Sequence, residues 1–390
     1  MITALIIGFA VLVGGLLIRP ALRANTLWRA MITPLASIIG SGFLILGPLL
    51  ARNYGAWGPL AMLGLCAVAW GFGSSIRANI KRIGDGPAPA NFAERLSGVL
   101  LAVAYVISVA YYLNLFGAFA VSLTPFAGPQ AARIVTTVAY LAILALGTAN
   151  GFKALESLEY PTVALKLAVI AALLAALAVN FADAVVQNAI ILPAPQIAGW
   201  QAITLGFGLL VTVQGFETSR YLGADYQANV RATSMQMAQA LATAIYMIYI
   251  IFLVYTVPVT GGAVSETEII NLMGTIAVVL PMMLVAAALA AQLSAALADT
   301  GGAGGLLVEL TAGRFSARQS YFVLVAVGLA LTWAADVFQI ISYASRAFAA
   351  YYGVQSLIAA RHARGGARLM HGNLAVMAAA IVVLGVAIEG

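Results

Sequence analysis

Long apolar runs follow one another along the chain, near 2–18, 30–50, 58–76, 96–124, 131–149, 158–181, 200–221, 233–258, 274–298, 320–335, 338–360 and 371–388, with short polar or Gly/Pro-rich stretches between them. A helix needs ~20 apolar residues to cross the hydrocarbon core of a bilayer, and these runs have about that length. The pattern therefore predicts an all-α integral membrane protein with about twelve transmembrane helices. Two runs are interrupted where a lipid-facing helix should be continuous: PLASIIGSGFLILGP in the second and VTVQGFETSRYLG in the seventh. They lie five spans apart. A unit with an odd number of helices inserts in the opposite sense to its copy, so five helices followed by five predict an inverted repeat, each half opening with a broken helix. The expected division is an extra amino-terminal helix and linker in 1–28, repeat one in 29–181, repeat two in 182–360, and a loop with a last helix in 361–390.

Composition agrees: 63% of the 390 residues are hydrophobic and 8% are charged, which leaves no room for a separate soluble domain. The net charge of +6 comes from Lys and Arg scattered over short loops, a topological signal rather than a nucleic-acid surface. With the amino terminus outside, Arg19, Arg23, Arg29, Arg77, Lys81, Arg82, Arg95, Lys153, Arg220, Arg231, Arg314, Arg318, Arg361, Arg364 and Arg368 all fall on cytoplasmic segments or span ends. Arg52 and Arg133 fall outside, and Lys166 and Arg346 fall within spans. The expected location is the inner (cytoplasmic) membrane, multi-pass, with both termini outside. The first apolar run has no basic residue before it and is read as a retained helix rather than a signal peptide. The single cysteine, Cys66, excludes an intramolecular disulfide. There is no phosphate-binding loop, no metal-ligand cluster and no convergent catalytic set, so neither an enzyme nor a cofactor or metal is expected.

Three stretches resemble the amino acid, polyamine and organocation permeases. Residues 38–60, IIGSGFLILGPLLARNYGAWGPL, are similar to that family's first core helix; residues 149–167, ANGFKALESLEYPTVALKL, to its fifth; and residues 213–241, beginning VQGFETSRYLG, to its sixth and seventh. With the matching span order, the likeness covers about 29–360. It implies the LeuT-type inverted-repeat fold, with broken first and sixth core helices, and the activity of a secondary transporter. In the fifth-helix match, Gly151, Lys153 and Lys166 keep the family's spacing, and Lys166 falls where sodium-coupled relatives hold an ion. The chain departs from the pattern in its extra amino-terminal helix, in a single helix after the core, and in Val211, where several amino acid permeases place a gating aromatic.

The residues follow from the breaks. Gly40, Ser41 and Gly42, with Ile38, would free amide donors where a helix dipole favours a carboxylate, while small residues at a helix crossing are the plainer explanation. Carbonyls around Val213, Gln214, Gly215 and Phe216 would suit a substrate ammonium group. Lys166 lies about 13 Å into its span, at 1.5 Å per residue, where a charged side chain either reaches polar partners or snorkels. Its expected role is coupling: the ammonium replaces sodium and bridges to the broken second span. Ser294 and Asp299, the latter placed near the cytoplasmic face, are the alternatives for a sodium site, and capping or packing accounts for them equally well. Glu217 and Arg346 are expected to gate, with Glu217 and Arg220 spaced to pair. Tyr111 is a candidate substrate contact beside Tyr105 and Tyr112, Asp336 a helix cap, and His362 and His371 loop residues. The resulting expectation is a sodium-independent symporter or antiporter for a small amino acid or related zwitterion. Its rivals are a sodium-coupled carrier, a carrier of an amine or small anion, and a receptor or assembly subunit with the same fold. The expected partners are that solute and the lipid bilayer, with no nucleic acid.

Overall fold

A computed structural model describes residues 2–40, 42–149, 159–259 and 264–387, and every regular element among them is helical. In order these are α1 (Ile2–Leu17), α2 (Pro20–Ala24), α3 (Thr26–Ile38), α4 (Gly42–Tyr54), α5 (Gly58–Ile83), α6 (Phe92–Val121), α7 (Pro129–Ala149), α8 (Glu159–Val186) and α9 (Gly199–Gly208). Two 3₁₀ turns, Leu210–Val213 and Phe216–Tyr221, lead to α10 (Ala228–Thr256), α11 (Glu268–Gly274), α12 (Leu280–Leu310), α13 (Ala317–Ala334), α14 (Val337–His362) and α15 (Gly365–Leu384). Ser41, Gly151 and Lys153 lie outside the described residues.

Each expected span coincides with a helix or a helix pair, and eight helical runs have the length and apolarity to cross a membrane. The other expected spans fall short for identifiable reasons. α1 has only 16 residues, α9 stops at the second break, and α14 carries Arg346 together with several hydroxyl and amide side chains. α4 and α5 join into one apolar run across a short 3₁₀ turn. Helix starts are set locally. Asn91 accepts from Glu94 N at the start of α6, and Asp336 and Ser316 form reciprocal boxes with Gln339 and Gln319, which makes Asp336 the cap its position suggests.

α12 packs along α6, α14 along α6 and α15, α10 along α3 and α5, and α1 along α8. Outward faces carry Leu5, Val11, Val376 and Val383, as lipid contact requires. Two expectations are corrected. The ninth apolar run is read as ending near 298, yet α12 continues through Gly301, Gly302, Gly304 and Gly305 to Leu310. Its glycines are contact points: a Cβ on Gly302 would lie 3.0 Å from the Tyr105 ring and one on Gly304 2.6 Å from Tyr321. Asp299 is thereby moved ~16 Å from the helix end rather than near it. His371 belongs to α15, not to a loop, and is buried with its Nδ1 2.9 Å from Ser75 Oγ.

Candidate functional site

The first break is a true interruption of the helix. The last backbone bond of α3 runs from Ile39 N to Leu35 O at 3.0 Å, and α4 starts at Gly42. Carbonyls of the last turn lose the partner a continuing helix would supply, and side chains from elsewhere replace it. Lys166 Nζ donates to Ala36 O at 2.6 Å, with the side chain only 3% exposed. Ile38 O lies 2.9 Å from the Tyr246 hydroxyl of α10. The ammonium thus sits at the negative end of the α3 dipole.

The second break is built the same way from the other side. α9 ends at Gly208, and Gln214 and Gly215 separate the two 3₁₀ turns, with Gly215 at φ +113°. Ser345 Oγ of α14 donates to Gly208 O at 2.7 Å and accepts from Val211 N at 2.9 Å, spanning the gap. Glu217 turns back on its own segment: Oε2 accepts from Gly215 N at 3.0 Å and from the Tyr352 hydroxyl at 2.7 Å.

The two breaks touch. A Cβ on Gly215 would lie 2.6 Å from the Ser37 carbonyl carbon and 2.7 Å from Ile38 N; one on Gly42 would lie 2.6 Å from Thr212 Cβ. The Tyr246 hydroxyl, 2.9 Å from Ile38 O, is also 2.7 Å from Thr212 O, so a single proton serves a carbonyl from each break. Beside them is a cavity of about 10 Å³, lined in part by Ile38, Val213 and Tyr246, with room for about one water. At Gly215 the backbone conformation and the contact both demand glycine. Gly215→Ala combines a left-handed cost of about 1–2 kcal/mol with an overlap of about 1–3 kcal/mol. The purified variant should melt several degrees below the parent, whereas Gly64→Ala, with nothing within 4 Å of the added carbon, should not. Equal melting of the two variants would mean the breaks are not in contact.

Around this junction lies a buried polar cluster. Gln214 Nε2 donates to Tyr112 Oη at 3.1 Å, and the Tyr112 ring reaches within 3.8 Å of a Cβ placed on Gly40. Tyr111 packs its ring 5.2 Å from that of Tyr112. Asp299 accepts from Ser108, one turn before Tyr112 on α6. Phe72, Tyr352 and Phe216 stack in series at 5.1 and 5.0 Å, closing the Glu217 side. Gln292, seven residues before Asp299 on α12, buries an amide with no hydrogen-bond partner among the described residues.

Ile38, Gly40, Gly42, Val213, Gln214, Gly215, Phe216, Tyr111, Lys166, Glu217 and Asp299 are brought together here. Two expected residues are not. Ser294 turns its hydroxyl onto Ala291 O of its own helix at 3.0 Å, and Arg346 donates from Nε to Gly385 O at 2.9 Å, pinning α14 to the end of α15. Glu217 and Arg220 do not pair either. Arg220 Nη2 instead meets Glu94 Oε2 at 2.6 Å and also holds Gln355, which accepts from Asn79 and donates to Ser97 at 2.6 Å. Arg82 joins Glu94 at 3.3 Å, and Arg231 donates to the Arg220 carbonyl at 2.9 Å. This network plugs the end of the bundle where α6 and α10 begin.

Tyr246, Ser345, Tyr352, Ser108, Glu94 and Gln355 were not singled out from the sequence. Tyr246 and Tyr352 had a signal to follow, because a tyrosine deep in an apolar run needs a partner for its hydroxyl. The others are ordinary residue types that gain meaning only from the opposite helix.

The fold and this junction define a multi-pass membrane protein with two interrupted helices that meet. A family model described as APC superfamily transporter matches residues 20–389, and the chain belongs to that family. A protein of Aquifex aeolicus (strain VF5), named only as uncharacterized, is 39% identical over 355 residues, covering 87% of this chain and 85% of its own.

Proposed function

We propose that this transporter is a secondary active carrier, moving a small amine-bearing solute, an amino acid or a related amine, across the inner membrane by alternating access. The observation that carries the reading is the pair of touching breaks held by Tyr246 and Lys166, because unwound backbone at membrane depth is tolerated where it lines a solute path. On this reading the breaks belong to the first and sixth core helices of a five-plus-five inverted repeat of LeuT type. α1 and α15 lie outside that core, and the bundle has twelve spans. Lys and Arg crowd the loops at the Glu94 end, which supports placing that end in the cytoplasm with both termini outside.

Lys166 takes the place of a coupling sodium. Its ammonium ties α8 to the end of α3, a fixed positive charge where a metal ion would otherwise join the two helices. Sodium coupling through Ser294 is the weaker reading, since that hydroxyl is spent on its own helix. The carrier is accordingly proton-linked or exchanging. Purified protein in liposomes, loaded or not with unlabelled solute, should accumulate a labelled amino acid or amine equally well in sodium and in potassium. An imposed pH gradient or internal solute should drive the uptake. A strict sodium requirement would overturn the coupling, and no uptake across the amino acid and amine panel would overturn the transport reading.

A further inference from the structure

The end of the bundle where α1, α3 and α8 meet carries charge that the junction of the two breaks does not use. The chain has no Asp or Glu before Asp85, while Arg19, Arg23 and Arg29 follow α1 in close succession, all exposed and none in an ion pair among the described residues. Adding Lys153, Glu156 and Glu159 from the sequence before Tyr160 still leaves two positive charges in excess. Two of the arginines, with Pro20, Ala24 and Tyr160, line a cavity of about 510 Å³, within the roughly 300–1,000 Å³ of small-molecule sites.

Local structure fixes this arrangement. Tyr160, in the first turn of α8, donates from its hydroxyl to Leu17 O at the end of α1 and accepts from Trp28 Nε1 of α3 at 3.1 Å, so one side chain ties three helices. Its ring in turn carries Arg23, whose guanidinium carbon lies 5.2 Å from the ring centroid. Asn25 caps α3, its side chain accepting from Trp28 N at 3.0 Å and its carbonyl from Arg29 N at 3.0 Å. Arg23 and Arg29 are thereby held on either side of the start of α3, where the positive end of the helix dipole adds to their charge.

We infer that this cavity binds the phosphate of an anionic phospholipid between Arg23 and Arg29. A guanidinium presents a planar fork of donors that matches phosphate oxygens, and two of them share this cavity with no carboxylate among its lining residues. What adjoins the cavity makes the ligand a lipid. Leu12, Leu16 and Ile18, exposed along and just after α1, run down to Pro20 and give acyl chains an apolar face to cover, for which a free phosphate has no use. α1 rises only ~24 Å over its 16 residues, against ~30 Å for the hydrocarbon core, so headgroups are drawn in toward the arginines. Basic pockets between spans at a membrane surface bind such headgroups. The bound lipid clamps α1 and α8 to α3, the helix whose other end is the first break.

The test titrates purified full-length protein, stripped of lipid in a neutral detergent, with phosphatidylglycerol, cardiolipin or phosphatidylcholine, counting bound lipid by native mass spectrometry and reading stability by melting. Phosphatidylglycerol and cardiolipin should bind at least ~10-fold tighter than phosphatidylcholine and raise the melting temperature, and Arg23→Gln with Arg29→Gln should weaken their binding ~10-fold or more. The control pair Arg314→Gln with Arg318→Gln, exposed arginines around the start of α13, should leave it unchanged. Equal binding of phosphatidylcholine, or equal losses in the two double variants, overturns the inference, because either makes the contact a general one with the membrane surface. Inorganic phosphate that displaces phosphatidylglycerol at equal concentration overturns the lipid and leaves a free-anion site. If the double variant fails to fold, Arg29→Gln alone, which keeps Arg23 over the Tyr160 ring, should still lose ~3-fold or more, and no loss overturns the inference.

Discussion

Lys166→Ala should abolish uptake in liposomes, with a loss of ~10- to 100-fold or more, while the protein still folds and inserts. The ammonium contacts Ala36 O at 2.6 Å at a point where the α3 helix has run out of its own donors. A hydrogen bond from a charged donor contributes about 1.5–3 kcal/mol, and 1.4 kcal/mol is a factor of ten in a population. Losing it would empty the conformer in which the two breaks meet, and the cycle would stall. Lys166→Met keeps most of the apolar stem and removes only the charge, so it should be as inactive as alanine if the bridge matters. A snorkelling lysine would lose little by either change. Exchange of sodium for potassium at fixed pH should leave the parent protein unaffected. If uptake survives Lys166→Met and also requires sodium, the lysine does not stand in for the ion.

How much of this was legible depended on whether a residue's role is local. Span positions follow from runs of apolar residues, and a helix break follows from glycine and serine where a continuous helix would be expected. Both are properties of a few neighbouring positions, and the breaks at Gly40 and Gly215 were found on that basis. The glycines of DTGGAGG carry a signal, small residues in a row, that fits a helix end and close helix contact alike, and only Tyr105 and Tyr321 on neighbouring helices decide between the two. Lys166 was legible because a lysine in an apolar span must reach something polar. Asp299 was not placed correctly, since its partner Ser108 lies 191 residues away and its depth depended on where α12 ends. The Glu217 and Arg220 spacing suggested a pair, and the 3₁₀ segment even stacks residues three apart, yet the two side chains turn to different neighbours. Glu94 and Tyr352 took them instead.

Arg220→Ala should open the end of the bundle that the Glu94 network plugs. Arg220 and Glu94 are 7% and 8% exposed, and removing Arg220 strips Glu94 of its shorter contact and leaves it only the more exposed Arg82 at 3.3 Å, which weakens this end of the bundle. Arg220 also holds Gln355, which links α5 through Asn79 and α6 through Ser97, so one substitution loosens three helices at once. A carrier that works by alternating access must dissolve such a plug in every cycle, and the variant should spend far more time with it dissolved. The readout is a cysteine at Ser97, which is 1% exposed here, in a background where the single native cysteine is removed by Cys66→Ala. A membrane-impermeant thiol reagent applied at that end should label Ser97→Cys at least ~10-fold faster when Arg220→Ala is present. The double variant Glu94→Gln with Arg220→Gln removes both buried charges and leaves only the part-exposed Arg82 without its partner, so it should melt above either single variant while still labelling quickly. Labelling that stays slow in a folded Arg220→Ala protein would make the network a static tie between helices rather than a gate.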